Sequence, residues 1–191
     1  MEKLNRCDWC LSDPIYIKYH DEEWGVPVRD DQKLFEMINL EGAQAGLSWI
    51  TVLKKREGYR EVFANFDPEV LVNYSDEHLE ALRQDSRIIR NRLKINAVRS
   101  NARAYLEIMA SVGSFSDYLW QFTDGKVIQN HLKGMDDYRA TSKESDAMSK
   151  DLKKRGFKFV GSTICYAFME AAGMVNDHFV DCFRHAELLD E

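Results

Sequence analysis

Side chains of metal-binding type gather at the two ends of the chain. Cys7, Cys10 and His20 lie near the start, and His178 and Cys182 lie near the end, with His185 just beyond. On a helix, His178 and Cys182, four residues apart, would share one face. Zinc takes thiolate and imidazole ligands in a tetrahedron. Two ligand sets are open: Cys7, Cys10, His178 and Cys182, or Cys7, His20, His178 and Cys182. Either set closes the coordination sphere, so a structural ion is expected rather than a catalytic one. It would staple segments 1–25 and 175–191 together. Cys165, in the apolar run ICYAFM, reads as a core thiol.

A second candidate is a lone carboxylate. The stretch LEGAQAGLSWITVL, residues 40–53, carries one charge, Glu41. Leu34, Ile38 and Glu41 follow a 4, 3 spacing, which puts Glu41 on the apolar line of a helix. A carboxylate there must be paired, protonated or functional. The pattern alone favours a structural hydrogen bond to a nearby helix end. The functional alternative is recognition of a ligand. Tyr16, Tyr19, Trp49 and Trp9 are types whose faces can hold a flat or cationic ligand, although by themselves they read as core aromatics.

The third candidate is basic. LKKRGFKFVGSTICYAFMEAAG reads as helix, tight glycine turn, helix. Backbone N–H groups at FVGST, opening a helix, suit a phosphate oxygen. Lys153, Lys154, Arg155 and Lys158 crowd the approach. Residues 83–103 hold seven basic residues and one acid, and residues 150–158 hold five and one. The net charge of −6 argues mildly against a large nucleic-acid footprint. Local basic patches on an acidic chain can still bind a polyanion, while solvated helix faces are the plainer reading.

The elements that must position these groups are helical. Asp13-Pro14 and Asp67-Pro68 each read as an N-cap followed by proline at the first helical position. Asp30 and Ser75 are further caps. Apolar residues recur at helical spacing through Leu34, Phe35, Ile38; Leu79, Leu82; Ile88, Ile89, Leu93; and Tyr118, Leu119, Phe122. Strand-like alternation is nearly absent. The expectation is an all-α fold of about eight to ten helices. Residues 123–147 read as a long polar surface loop, with Ser145-Asp146 capping a helix that begins near Ala147.

The 191 residues suffice for one domain, 1–191, with the hairpin at about 150–172. No run approaches the ~18 apolar residues of a membrane span, and MEKLNRCDWC has no apolar signal-peptide core. A cytoplasmic protein with reduced cysteines is expected, with no membrane partner. No heptad pattern argues for pairing, so a monomer is expected.

Taken together, DPIYIKYHDEEWGVP, LFEMINLEGAQAGLSWITVLKKRE, RNRLKINAVRSNARAYL, LKKRGFKFVGSTICYAFM and VNDHFVDC resemble the 3-methyladenine-DNA glycosylase I family, within the helix-hairpin-helix glycosylase superfamily. The resemblance covers nearly the whole chain. It implies a helix-hairpin-helix glycosylase-like helical fold, one structural Zn2+, and excision of N3-methyladenine from alkylated double-stranded DNA, with free 3-methyladenine as product. By resemblance the zinc ligands are Cys7, His20, His178 and Cys182, which leaves Cys10 outside the set.

The family's base pocket maps onto Glu41, with Tyr16, Tyr19, Trp49 and Trp9. Gly46 and Leu47 map onto the residues that enter the helix and fill the gap left by the extruded nucleotide. Lys158, Gly161 and Ser162 map onto the DNA-binding hairpin. Strand-cutting relatives carry a lysine just past the hairpin glycine. Ser162 and Thr163 stand there instead, which implies base release without strand cleavage. Asp177, next to His178, is expected to act as an outer partner of the metal or as a cap. Other function classes explain less. A binder of DNA shape needs no buried carboxylate, and a zinc hydrolase needs an open metal position and lacks H-E-x-x-H.

Overall fold

The computed structural model describes residues 4–189; residues 1–3 and 190–191 of the expected single domain lie outside the described residues. The chain runs through α1 (Pro14–Glu22), α2 (Asp31–Gln44), α3 (Trp49–Leu53), α4 (Arg56–Val62), α5 (Pro68–Leu71) and α6 (Asp76–Ala81). It continues through α7 (Arg92–Val112), α8 (Phe115–Trp120), α9 (Lys143–Lys154), α10 (Ser162–Ala171) and α11 (Phe183–Glu187). Eleven α-helices among the described residues exceed the expected eight to ten, because α3, α5 and α11 are only one or so turns long.

The caps are where the sequence places them. Asp13, Asp30, Asp67 and Ser75 each accept a backbone N–H of the first helical turn through the side chain. One start differs. The helix expected near Ala147 begins at Lys143, because Ser142 and Ser145 form a reciprocal capping box. Ser145 is therefore inside the helix, and only residues 124–142 form the connection. That connection is not wholly superficial. Ile128 and Gln129 (β1) pair in parallel with Val175 and Asn176 (β2), and Leu132 is buried beside Cys7, Phe179 and Cys182.

α2 is the hub. Leu34, Phe35 and Ile38 pack into a core with Ile95, Val98 and Ala102 of α7 and Phe168 and Met169 of α10. Asn39 of α2 accepts from Asn101 of α7 at 2.9 Å. Asn101 in turn accepts from the Lys158 backbone N–H at 2.7 Å, which fixes the turn between α9 and α10. Gly42 lets α2 approach that turn closely, since a Cβ there would lie 3.1 Å from the Phe159 Cβ.

Residues 25–28 lie along the end of α10. Gly25 N–H donates to the Glu170 carbonyl at 3.1 Å, and Val28 N–H donates to the Ala172 carbonyl at 3.0 Å. Gly173 makes this approach possible: its φ is +68°, and a Cβ would lie 2.3 Å from the Pro27 nitrogen. Gly173→Ala is expected to cost about 2 kcal/mol through overpacking and to lower the melting temperature by about 4–8 °C, measurable by calorimetry.

Candidate functional site

The end of α2 and the start of α3 carry most of the site. Glu41 lies in the last turn of α2 and is 4% exposed. Tyr16 and Tyr19 come from α1, and Trp49 opens α3. Trp9 sits in a short 3-10 turn, Asp8–Cys10. These residues line one open cavity of about 270 Å3, completed by Trp24, Gln44, Met135, Tyr138, Ala167, Glu170, Asp177 and Phe179. Trp9 packs on Tyr16 at 4.8 Å and on Trp24 at 4.9 Å between ring centroids, and Tyr19 packs on Trp49 at 5.5 Å. The five pocket residues read from the sequence therefore meet in one place.

The structural hydrogen bond favoured for Glu41 does not form. Among the described residues its carboxyl has no hydrogen-bond partner, and burial alone pushes its pKa up to about 8. The indole N–H of Trp49 is likewise buried without a partner. Buried polar groups are nearly always satisfied. Both residues line the same cavity, and their free acceptor and donor make it a candidate site for a polar ligand.

Of the lining residues that the sequence reading did not place in the pocket, Trp24, Glu170 and Asp177 matter most. Trp24 continues the four-residue line Tyr16, His20, Trp24, and that spacing was the available signal. Glu170 is fully buried on α10, and burial, followed by the charge of Asp177, raises its pKa well above the ordinary carboxylate range. It accepts from the Tyr138 hydroxyl at 3.2 Å. Asp177 faces the pocket wall and accepts from Tyr166 at 2.8 Å and from Asn130 at 2.7 Å. It is thus neither a helix cap nor a partner of a histidine ligand, which corrects the sequence expectation.

Behind Trp9 and Trp24 lies the Cys/His cluster. The ligand atoms of Cys7, His20, His178 and Cys182 all lie within 4.8 Å of one another, and all four residues are buried. His20 Nε2 is 3.2 Å from His178 Nδ1 and 3.5 Å from Cys182 Sγ. His178 Nδ1 is 3.6 Å from Cys182 Sγ and 3.9 Å from Cys7 Sγ. A tetrahedral zinc with bonds of about 2.3 Å to sulfur and about 2.0–2.1 Å to nitrogen separates its ligand atoms by about 3.3–3.8 Å. The separations given lie within a few tenths of an ångström of that range and no pair exceeds 4.8 Å, so the donor set suits such an ion with small side-chain shifts.

The other ring nitrogens are held as metal-binding histidines require. His20 Nδ1 meets Asp21 at 2.8 Å, and His178 Nε2 meets the Trp24 carbonyl at 3.0 Å. Arg6 clasps the same Asp21 at 2.7 Å. The spacing argument for His178 and Cys182 does not hold: both lie in the segment between β2 and α11, and the loop rather than a helix face brings them together. Cys10 stays outside the cluster, its thiol donating to the Cys7 carbonyl at 3.1 Å. His185 is directed elsewhere, to the Asn130 carbonyl at 3.0 Å. Cys165 is a core thiol, as read.

The two basic segments part ways. In residues 83–103 most cations are engaged within the chain. Arg83 and Arg92 face Glu80, Arg87 faces Asp85 and Glu61, and Arg99 faces Asp76. Lys94 donates to the Ala43 and Ala45 carbonyls and closes the end of α2. The turn of α9 and α10 keeps more of its charge. Arg155 pairs with Asp151, whereas Lys150, Lys153, Lys154 and Lys158 are exposed and have no acidic partner among the described residues. Gly161 has open space at its Cβ position, so its backbone is approachable. The Ser162 hydroxyl is engaged by Asp146 at 2.5 Å. Gly46 and Leu47 are exposed in the turn between α2 and α3, close to the pocket residue Gln44, which accepts from Leu47 N–H at 2.7 Å. Among the described residues no helix is long and apolar enough to cross a membrane.

A methyladenine glycosylase family model matches residues 9–185. The Escherichia coli (strain K12) protein named DNA-3-methyladenine glycosylase 1 is 54% identical over 179 residues, which are 94% of this chain and 96% of the relative. A crystal structure of a 3-methyladenine DNA glycosylase I superposes with a TM-score of 0.92 at 55% identity, covering 94% of this chain and 98% of that one. A Staphylococcus aureus 3-methyladenine DNA glycosylase I, whose structure is described as the basis of 3-methyladenine recognition, has a TM-score of 0.91 at 38% identity, covering 94% and 96%.

Proposed function

The chain belongs to the methyladenine glycosylase family, and from that premise we propose that it is a monofunctional DNA glycosylase that flips N3-methyladenine out of alkylated DNA and releases it, leaving an abasic site. The observation that carries the reading is the partnerless Glu41 carboxyl inside a cavity walled by Tyr16, Tyr19, Trp49 and Trp9.

The target atom lies inside the base stack, so the nucleotide must be extruded, at a cost of a few kcal/mol that is least for damaged bases. N3-methyladenine in DNA carries a positive charge on the ring, which already weakens the bond from C1′ to the base. The base leaves with that electron pair and becomes neutral, and water then adds to the sugar cation and loses a proton. A strong acid is not needed. Aromatic faces hold the cation, for about 0.5–2 kcal/mol each when desolvated. Ionised Glu41 accepts from the exocyclic amine and opposes the ring charge. Glu41 is a reader of the base rather than a nucleophile.

Gly46 and Leu47 fill the vacated stack, and Lys158, Gly161 and Ser162 belong to a helix-hairpin-helix that holds the backbone. The backbone amides carry that contact, since the Ser162 hydroxyl is already bonded to Asp146. A structural Zn2+ on Cys7, His20, His178 and Cys182 joins the two ends of one domain spanning 1–191. The protein acts as a cytoplasmic monomer.

The test is incubation of purified protein with methylated duplex DNA and chromatography of the released bases. Release of 3-methyladenine, no release of 7-methylguanine and no strand nicks are expected. Absence of release by a folded, zinc-loaded chain would overturn the activity. Nicked product would overturn the assignment of Ser162 and Thr163 as the reason for monofunctional chemistry.

A further inference from the structure

Two exposed segments border the pocket. One is the Gly46–Leu47 turn, joined to the pocket through Gln44. The other is the connection before α9, which brings Met135 and Tyr138 to the cavity. Immediately behind Tyr138 lies a second, polar cavity of about 340 Å3, lined by Asn130, His131, Leu132, Lys133, Asp137, Arg139 and Tyr166. The two cavities share a wall, because Asn130 and Tyr166 both donate to Asp177, which lines the first.

This segment is built rather than loose. Lys133 N–H donates to Asp137 at 2.8 Å and closes the turn, Val180 N–H donates to the Leu132 carbonyl at 2.8 Å, and the Tyr138 hydroxyl ties the far side to Glu170. His131, Lys133 and Arg139 are exposed around the cavity. Among the described residues neither Lys133 nor Arg139 has an acidic partner, unlike most cations of residues 83–103. Asp137 lines the same cavity but is turned to the Lys133 N–H, so the two exposed side-chain cations are left to meet an anion from solvent.

We propose that Lys133 and Arg139 form a second phosphate clamp, which holds the phosphodiester beside the flipped nucleotide at the border of the pocket formed by the connection before α9. The inference rests on the proposed glycosylase activity. A base seated in the first cavity brings its own phosphate to the mouth, and Met135 and Tyr138 place the loop that carries these cations at that mouth. Phosphate contacts of this kind position the duplex without reading sequence. They are distinct from the hairpin lysines, which lie on α9 and the turn after it.

The experiment uses the full-length K133A/R139A double variant. Binding to a duplex with a tetrahydrofuran abasic-site analogue is measured across a salt series. Free 3-methyladenine affinity is followed in parallel by tryptophan fluorescence, and base release is assayed separately. Each phosphate no longer neutralised reduces the slope of log K against log salt by about 0.9, so a drop of about 0.9 is expected for the single phosphodiester held by the pair. Duplex affinity should fall at least tenfold at low salt, with free-base affinity within twofold of wild type. An unchanged slope overturns the clamp. So does altered binding of inorganic phosphate with duplex binding intact, which would make the cavity a site for a free anion. Absence of base release by the wild type would sink the activity and leave the binding result readable by itself.

Discussion

Glu41→Gln is expected to weaken base recognition and stabilise the fold at the same time. Replacing the carboxylate removes a charge-assisted acceptor, and such bonds contribute about 1.5–3 kcal/mol. Affinity for 3-methyladenine and kcat/KM for its release should fall about 10- to 150-fold. Stability moves the other way. An unbound Glu41 has no partner, and burial raises its pKa from 4.5 to about 8. Between those values the folded chain keeps a proton that the unfolded chain has released. Folded protein then binds more protons, so wild-type stability falls as pH rises from 4.5 to about 8, and levels above it. The loss is at most about 1.4 kcal/mol per pH unit. The glutamine variant lacks this group, so its advantage in melting temperature should widen across the same window. Base release follows the ionised form. Wild-type kcat/KM should rise with pH with its midpoint near 8 and level off above it, and the variant should be flat in that range. A melting temperature lowered by the substitution at pH 8 would mean that Glu41 is a structural partner after all.

The reason for that behaviour was half legible in the sequence. A lone charge on the apolar line of α2 shows that something is unusual, but a linear pattern cannot say whether a partner waits in space. Asn39 accepts from Asn101, 62 residues away on α7, and donates to the Phe35 carbonyl one turn back in α2, so both ends of its amide are bonded. Glu41, two residues on, has no such bond among the described residues. The same limit applied to the basic segments. Residues 83–103 and 150–158 look alike as strings, yet the first is neutralised mainly by Glu80, Asp85, Asp76 and the carbonyls at the end of α2. Caps were legible because their chemistry is local: Asp13, Asp30, Asp67 and Ser75 bond within three residues. The start of α9 was missed because its box uses a second serine in place of the usual Glu or Gln. Trp24 was missed because it stands just past the end of α1, where the helical line is not normally extended.

Removal of the ion proposed for Cys7, His20, His178 and Cys182 should produce the largest loss of stability in the molecule. Cys7 and His20 come from the first segment and His178 and Cys182 from the last, and only a few bonds beside the cluster, such as Phe183 N–H to the Asn5 carbonyl at 3.0 Å and Asn5 to the Asp181 carbonyl at 2.8 Å, join the two. The two thiols show the cost of bringing them together alone. The two thiols, buried side by side, push the Cys7 pKa up and the Cys182 pKa down, with burial acting on both. One proton is then shared in a buried site. An ion that takes both thiolates displaces it, and its binding free energy becomes folding free energy. At a free metal concentration 1,000 times Kd the linkage is about 4 kcal/mol, which for a chain of this size corresponds to about 8–16 °C in melting temperature. A chelator, or Cys182→Ala, should lower the melting temperature by that amount and reduce the metal content from one ion per chain to none. Cys10→Ser should leave the metal content unchanged, since Cys10 bonds only the Cys7 carbonyl. Loss of hydrogen-exchange protection should concentrate in residues 4–25, 130–132 and 175–189, while α7 and α10 keep theirs. Base affinity should fall with it. Trp24 packs against His178 at 4.5 Å between centroids and lines the base pocket, so releasing the histidine frees a wall of the site. An unchanged melting temperature after complete demetallation would show that aromatic packing around Trp9 and Trp24, not an ion, joins the two ends of the chain.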